Sequence, residues 1–220
     1  MAALVFDLDG TLVDSVPDLH AAASRMLNDH GREPLSLGAI RGFVGNGVPK
    51  LVERIMTAAD LQGTASHAEL TACFSNHYNA APADLTQLYP NVVSTLRKLA
   101  DQGHRMAICT NKPEEPTASV LDAFGLREYF QYVIGGDSLS VRKPDPLPLT
   151  TAFDQLGEPH HLFVGDSEVD AETAARAGVA FALFTEGYRK TPVQELPHAA
   201  SFSDFSELPM IVRAQFAAKV

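Results

Sequence analysis

The chain has 220 residues, 45% of them hydrophobic and 20% charged, and a formal net charge of −10, long enough to bury one large core or a core plus a small second domain. No basic run offers a footprint for nucleic acid, and no stretch approaches the roughly 18 to 20 uninterrupted apolar residues of a membrane span. The N-terminus lacks a basic region followed by a long apolar one, so a cytoplasmic protein is expected, and Cys73 and Cys109, which form no CxxC pattern, are expected to be reduced and packed.

The apolar run Leu4-Val5-Phe6 predicts a buried strand that leads into Asp7-Leu8-Asp9-Gly10-Thr11. Strand geometry points Asp7 and Asp9 the same way and returns Leu8 to the core. Two carboxylates this close cannot both stay ionised without a cation, a raised pKa, or both. Gly10 permits a tight turn at which the amides of Leu8 and Asp9 can face an anion. The stretch has the make-up of a metal-assisted phosphate site. A calcium loop would need Gly and Glu where the chain has Leu12 and Asp18. A plain turn cap stays open until partners elsewhere decide.

Over residues 15–28, Val16, Leu19, Ala23, Met26 and Leu27 recur at helical spacing, with Pro17 at an early helix position. A second helix is predicted over 35–43. It leads through Val44-Gly45-Asn46-Gly47 to a third helix marked by Val48, Leu51, Val52 and Ile55, and a fourth spans about 67–79. About seventy residues of helix before the next αβ unit are too many for a loop. Residues 15–85 are therefore expected to form an all-helical cap domain, with 1–14 and 86–220 as the core.

The remainder alternates. A helix over Val92 to Leu99 ends at Gly103, and strand 105–109 runs into Thr110-Asn111-Lys112-Pro113. A helix then reaches Gly125, and a short strand covers 132–134. After Arg142-Lys143-Pro144 come a helix to Gly157, strand 161–164 running into Gly165-Asp166-Ser167, an alanine-rich helix to Gly178, strand 179–184, and a closing helix from residue 203. Such alternation predicts an α/β fold built on a Rossmann-like, doubly wound parallel sheet.

Ligands of such sheets bind at the carboxyl ends of the strands. That rule gathers Asp7 and Asp9, Thr110, the loop bearing Lys143, and Asp166 with Asp170, which favours the phosphate site over the turn cap. Phosphate-monoester hydrolysis is among the slowest uncatalysed reactions, so several effects must act together. Asp7 is the expected nucleophile, carrying an aspartyl-phosphate. Asp9 is the expected acid and then base, for which it must hold a proton near neutral pH, as burial beside Asp7 favours. Mg²⁺ suits one or two carboxylates plus a phosphate oxygen, with Asp166 as a further ligand. Asp170 is expected to hold a metal-bound water or the Lys143 ammonium, or merely to suit a helix N-terminus. Thr110 and Asn111 can donate to the transferring oxygens, and Lys143 can offset their charge. Elsewhere, His160-His161 lacks an HExxH pattern, Ser15 and Ser167 lack a triad signature, and neither GxxxxGK[ST] nor GxGxxG follows a strand.

In order and spacing, Asp7-x-Asp9-Gly10-Thr11, Thr110, Lys143-Pro144 and Gly165-Asp166-Ser167-x-x-Asp170 resemble the four motifs of the haloacid-dehalogenase-like hydrolases. The resemblance implies a helical cap of the superfamily's first type. It implies Asp7 as nucleophile, Asp9 as acid and base, and Thr110 and Lys143 as phosphate binders. Mg²⁺ would be held by Asp7, the Asp9 carbonyl and Asp166, with Ser167 and Asp170 behind them. Within the superfamily, residues 6–17, 41–47, 110–113, 133–137 and 163–167 are similar to bacterial phosphoglycolate phosphatases. A small phosphorylated metabolite, 2-phosphoglycolate first, is the implied substrate. The turn Gly45-Asn46-Gly47 would choose it, and Arg41 and Lys50, flanking that turn, could read its carboxylate. The chain departs from the family at Glu168-Val169, where a basic or polar residue and Asn are usual, and over 138–142. A sugar-phosphate phosphatase or hexose phosphomutase of the same superfamily is the nearest alternative. A non-catalytic phosphate-binding regulatory module is the alternative from another class. No protein partner is readable.

Overall fold

Strand β1 (Ala3–Phe6) is buried along its whole length. It pairs in parallel with β4 (Arg105–Cys109) on one side and β6 (His161–Gly165) on the other, so that Val5 lies between Ala107 and Phe163. In the computed structural model, which describes residues 1–217, β5 (Tyr132–Ile134), β7 (Ala180–Phe184) and β8 (Ala200–Phe202) complete a sheet of order β5-β4-β1-β6-β7-β8. Every neighbouring pair is parallel, so all strands end on one edge. Alternate residues feed two cores. Leu4, Phe6, Met106, Ile108 and Val164 pack with α5 (Val92–Asp101), α6 (Glu114–Ala123) and α9 (Leu208–Ala217). Ala3, Val5, Ala107 and Phe163 pack with α7 (Leu147–Leu156) and α8 (Glu168–Ala177). Burial on both faces explains why these strands read as continuous apolar runs.

Four helices between β2 (Val13–Asp14) and β3 (Gln87–Leu88) build a third, separate core. They are α1 (Val16–Asp29), α2 (Leu37–Arg41), α3 (Val48–Ala58) and α4 (His67–Asn79), and Leu19, Met26, Ile40, Val52, Ile55, Phe74 and Tyr78 are among the side chains they enclose. The chain leaves and re-enters the sheet region through β2 and β3, which pair antiparallel. The carboxylate of Asp18 locks this crossing, accepting from Leu85 N at 3.0 Å, Thr86 N at 2.7 Å and Thr86 Oγ1 at 2.6 Å. Both cysteines are free, Cys109 buried and Cys73 half-buried. No helix among the described residues is long and apolar enough to cross a membrane.

Three strands go beyond the sequence expectation. β2 and β3 have two residues each, too few for any alternation to register. β8 lies in a polar stretch and forms only by pairing with β7, Ala182 opposite Ala200. Two helices also differ in extent. The second is shorter because the Ser36 hydroxyl caps it, accepting from Ala39 N. The closing helix starts later because Asp204 caps a 3₁₀ turn over Phe205–Glu207; the end of the expected helix, 218–220, lies outside the described residues.

Candidate active site

Asp7 stands at the end of β1, where its N–H still donates to Val164 O at 2.9 Å and anchors it to the sheet. Leu8 returns to the core, fully buried. The chain then turns back, Gly10 N donating to Val13 O at 2.8 Å. Gly10 has φ 87°, and a Cβ there would lie 2.6 Å from Asp166 Oδ2, so only glycine lets this turn close against the end of β6. Thr11 Oγ1 donates to Asp166 Oδ1 at 2.8 Å. Thr110 follows β4, its N–H bonded to Ile134 O at 3.0 Å. Its Oγ1 accepts from Lys112 N at 3.3 Å, leaving the hydroxyl hydrogen to donate. The strand ends thus bring together the carboxylates of Asp7, Asp166 and Asp170, with one oxygen of each within 4.8 Å of the others.

Lys143 threads between them, its Nζ 2.6 Å from Asp170 Oδ1 and 3.0 Å from Asp7 Oδ1. The ammonium is buried, which alone would lower its pKa, but Asp170 and Asp7 hold it above the ordinary lysine value. The other oxygen of Asp170 accepts from Ser167 Oγ at 2.7 Å and Ser167 N at 3.1 Å, closing a capping box at the start of α8. Of the roles open to Asp170, the structure realises the Lys143 anchor and the helix cap together. Asp7 is pushed up to about 7, by burial first, against the opposing pull of Lys143. Burial, then Asp170 and Asp7, push Asp166 well above the carboxylate range, although Tyr188 N donates to it at 2.6 Å.

Asp9 has a cationic neighbour of its own. Lys112 Nζ lies 3.0 and 3.3 Å from its two oxygens, and Asp9 is only half-buried. Lys112 also donates to Tyr78 Oη and sits 4.6 Å from that ring's centroid. Burial opposes the charge on Lys112, but Asp9 and Tyr78 keep its pKa raised. Burial pushes the Tyr78 phenol up to about 12, so it stays protonated.

If ionised together, Asp7, Asp9, Asp166 and Asp170 would outweigh Lys112 and Lys143 by two negative charges. Asp7 Oδ1, although near Lys143, is buried and accepts no hydrogen bond of acceptable geometry. A compact, oxygen-only cluster short of two positive charges fits a hard divalent cation.

Two cavities share Asp7 and Asp9. One, of about 50 Å³, is walled by Leu19, Val44, Tyr78, Thr110 and Lys112; the other, of about 300 Å³, extends toward Asp166, Glu168 and Lys190. Gly45 and Gly47 line the first and Asn46 the second. Asn111 lines the first as well, but its amide is engaged, donating to Gly45 O at 3.0 Å and Lys143 O at 2.9 Å. It ties two loops together rather than presenting hydrogens to a phosphate. Arg41 and Lys50 line neither cavity. Arg41 pairs with Asp14 at 2.9 Å and stacks over Tyr188, while Lys50 is exposed and pairs with Glu53 at 2.7 Å along α3. The departure at Glu168 has a local role, its carboxylate accepting from Lys190 N and Thr191 N at 2.6 Å each.

Sequence reasoning passed over Lys112, Tyr78 and Tyr188. The position of Lys112, two residues past Thr110 in the same strand-end loop, was the available signal. Tyr188, whose hydroxyl donates to Asp14 Oδ1 and accepts from Ser15 N, both at 2.8 Å, had none.

The chain matches the haloacid dehalogenase-like hydrolase family over residues 4–184. It is 50% identical over 214 residues to a phosphoglycolate phosphatase of Cereibacter sphaeroides, covering 97% of this chain and 98% of that one. It is 47% identical over 215 residues to a phosphoglycolate phosphatase of Rhodobacter capsulatus, covering 96% of each. Among solved structures, a predicted phosphoglycolate phosphatase from Haemophilus somnus superposes with a TM-score of 0.90 at 33% identity, covering 96% of this chain and 98% of that one.

Proposed function

The chain belongs to the haloacid dehalogenase-like hydrolases, and from that premise we propose that it is a Mg²⁺-dependent 2-phosphoglycolate phosphatase acting through an aspartyl-phosphate on Asp7. The meeting of Asp7, Asp9, Thr110, Lys143 and Asp166 at one sheet edge carries the chemistry of this reading. The half-identity to a named phosphoglycolate phosphatase over nearly the whole chain supports the substrate.

Asp7 attacks phosphorus, and the bond from phosphorus to the glycolate oxygen breaks. Asp9 gives that oxygen a proton, then takes one from the water that releases phosphate and restores Asp7. Thr110 and Lys143 face the transferring oxygens, and Asp170 keeps Lys143 in place. Held by Asp7, Asp166 and the Asp9 carbonyl, Mg²⁺ would supply Lewis-acid polarisation and the two positive charges the cluster is short of.

Substrate choice is assigned to the smaller cavity. It opens on Asp7 and Asp9 and is walled by Leu19, Val44 and Tyr78. Lys112 is its cationic wall. An incoming carboxylate accepts a hydrogen bond from the Lys112 ammonium, which keeps its contact with Asp9. Residues 15–85 act as the cap, swinging on the β2–β3 crossing to exclude water during transfer.

The test is a kcat/KM comparison, with Mg²⁺, of 2-phosphoglycolate, hexose phosphates, nucleotides and pyrophosphate. The reading expects 2-phosphoglycolate to lead by at least about tenfold, a difference of about 1.4 kcal/mol in transition-state binding. Preference for a hexose phosphate, or conversion to an isomer without phosphate release, would overturn it.

A further inference from the structure

We propose that Asp29, Cys73 and His77 form a second metal site, selective for a borderline-soft divalent cation such as Zn²⁺. Asp29 is the last residue of α1, about 20 Å along that helix from the β2–β3 crossing, so the site stands apart from the carboxylate cluster.

Cys73 and His77 are four residues apart on α4 and therefore stack on one face, beside Leu70 and Phe74, which bury into the helical core. A capping box between Ser66 and Glu69 fixes the start of α4. Two ligands on one rigid helix and a third on its packed neighbour make a preorganised set. One oxygen, Asp29 Oδ2, accepts from both partners, from Cys73 Sγ at 3.6 Å and from His77 Nε2 at 2.6 Å. Thiol, imidazole and carboxylate atoms all lie within 4.8 Å of one another. Tetrahedral Zn²⁺, with Zn–S about 2.3 Å and Zn–N about 2.0 Å, holds its ligand atoms about 3.3 to 3.6 Å apart. The sulfur–oxygen spacing already meets that value, and the nitrogen–oxygen spacing needs to open by less than about 1 Å.

The cation would replace the two protons now shared on Asp29. On binding, the thiol proton leaves to solvent and the imidazole, whose Nε2 hydrogen now faces Asp29, exchanges it through solvent for one on Nδ1, so Sγ, Nε2 and Oδ2 each offer a lone pair. Asp29 is exposed and His77 half-buried, which leaves the fourth position to water. Sulfur and nitrogen donors disfavour Mg²⁺, whereas the oxygen-only cluster at Asp7 and Asp166 suits it. The two sites thus sort metals by softness. The new one pins α1 to α4, and α4 carries Tyr78 to Lys112.

The test titrates Co²⁺ into the full chain in excess Mg²⁺, so that the carboxylate cluster is already saturated. The expected result is a stoichiometric thiolate-to-cobalt charge-transfer band in the near ultraviolet, displaced by Zn²⁺. Cys73→Ser should abolish the band, His77→Gln should weaken Co²⁺ binding at least tenfold, and Asp7→Asn should leave both unchanged. Absence of the band in the parent chain overturns the proposal. So does a band that survives Cys73→Ser, which assigns it to Cys109, or one that is lost in Asp7→Asn. Both conservative variants replace half-buried side chains, and circular dichroism of each checks that α4 is intact.

Discussion

Replacing Lys112 by Met keeps the aliphatic stem but removes the ammonium that lies 3.0 Å from Asp9 and 4.6 Å from the Tyr78 ring centroid. Lys112 is only 5% exposed, so its hydrogen bond to a substrate carboxylate would form in a largely dry wall. A charge-assisted bond of that kind contributes about 1.5 to 3 kcal/mol, or roughly a 10- to 150-fold loss in kcat/KM for 2-phosphoglycolate. Asp9 also loses its partner, and this second effect falls on every substrate alike. Ethyl phosphate, with a methyl in place of the carboxylate, isolates the first effect. The assay is the ratio of kcat/KM for 2-phosphoglycolate over ethyl phosphate, parent against variant, each in saturating Mg²⁺. The ratio should drop by roughly 10- to 150-fold. An unchanged ratio with both activities reduced would refute carboxylate recognition by Lys112 and leave it only as the partner of Asp9.

Mg²⁺ should stabilise the fold, because the cluster at Asp7, Asp166 and Asp170 is short of two positive charges; at 100 times Kd the gain is about 2.7 kcal/mol, or about 5 to 10 °C in Tm. The shift should shrink as pH falls through about 7, where Asp7 takes up a proton that the cation must displace, and it should vanish in Asp166→Asn; an equal shift in that variant contradicts the ligand assignment. Asp18→Ala leaves Leu85 N, Thr86 N and the Thr86 hydroxyl without their buried acceptor. Urea unfolding should register a loss of about 3 kcal/mol, and a change below about 0.5 kcal/mol, the range of ordinary surface substitutions, would remove Asp18 from its role at the crossing.

The strand-end residues were legible because a parallel sheet turns a one-dimensional pattern, an apolar run followed by a polar loop, into a three-dimensional address. Asp7, Thr110 and Asp166 each close such a run, and the structure brings them to one edge. Lys143 follows no strand directly, but its loop is drawn in by Asn111, which grips its carbonyl. What the sequence hid depends on side-chain reach. Arg41 and Lys50 flank the Gly45-Asn46-Gly47 turn, yet nearer acids, Asp14 and Glu53, claim them. Lys112 was passed over because a cation in a charged loop gives no sign of which way it points. The partnership of Tyr188 with Asp14 and Ser15 spans more than 170 positions, which no local spacing encodes. β8 was hidden for a related reason, since it owes its strand conformation to β7 alone.

Covalent transfer to Asp7 is the central claim, and trapping it is the most direct test. The Mg²⁺-loaded chain is mixed with 2-phosphoglycolate, quenched within one turnover and reduced with borohydride, which converts an acyl phosphate to an alcohol. Peptide mass spectrometry should then find Asp7 reduced to homoserine, dependent on substrate and on Mg²⁺, with every other carboxylate unmodified. An unmodified Asp7 in a sample that is turning over, or homoserine at Asp9 or Asp166 instead, would contradict the account.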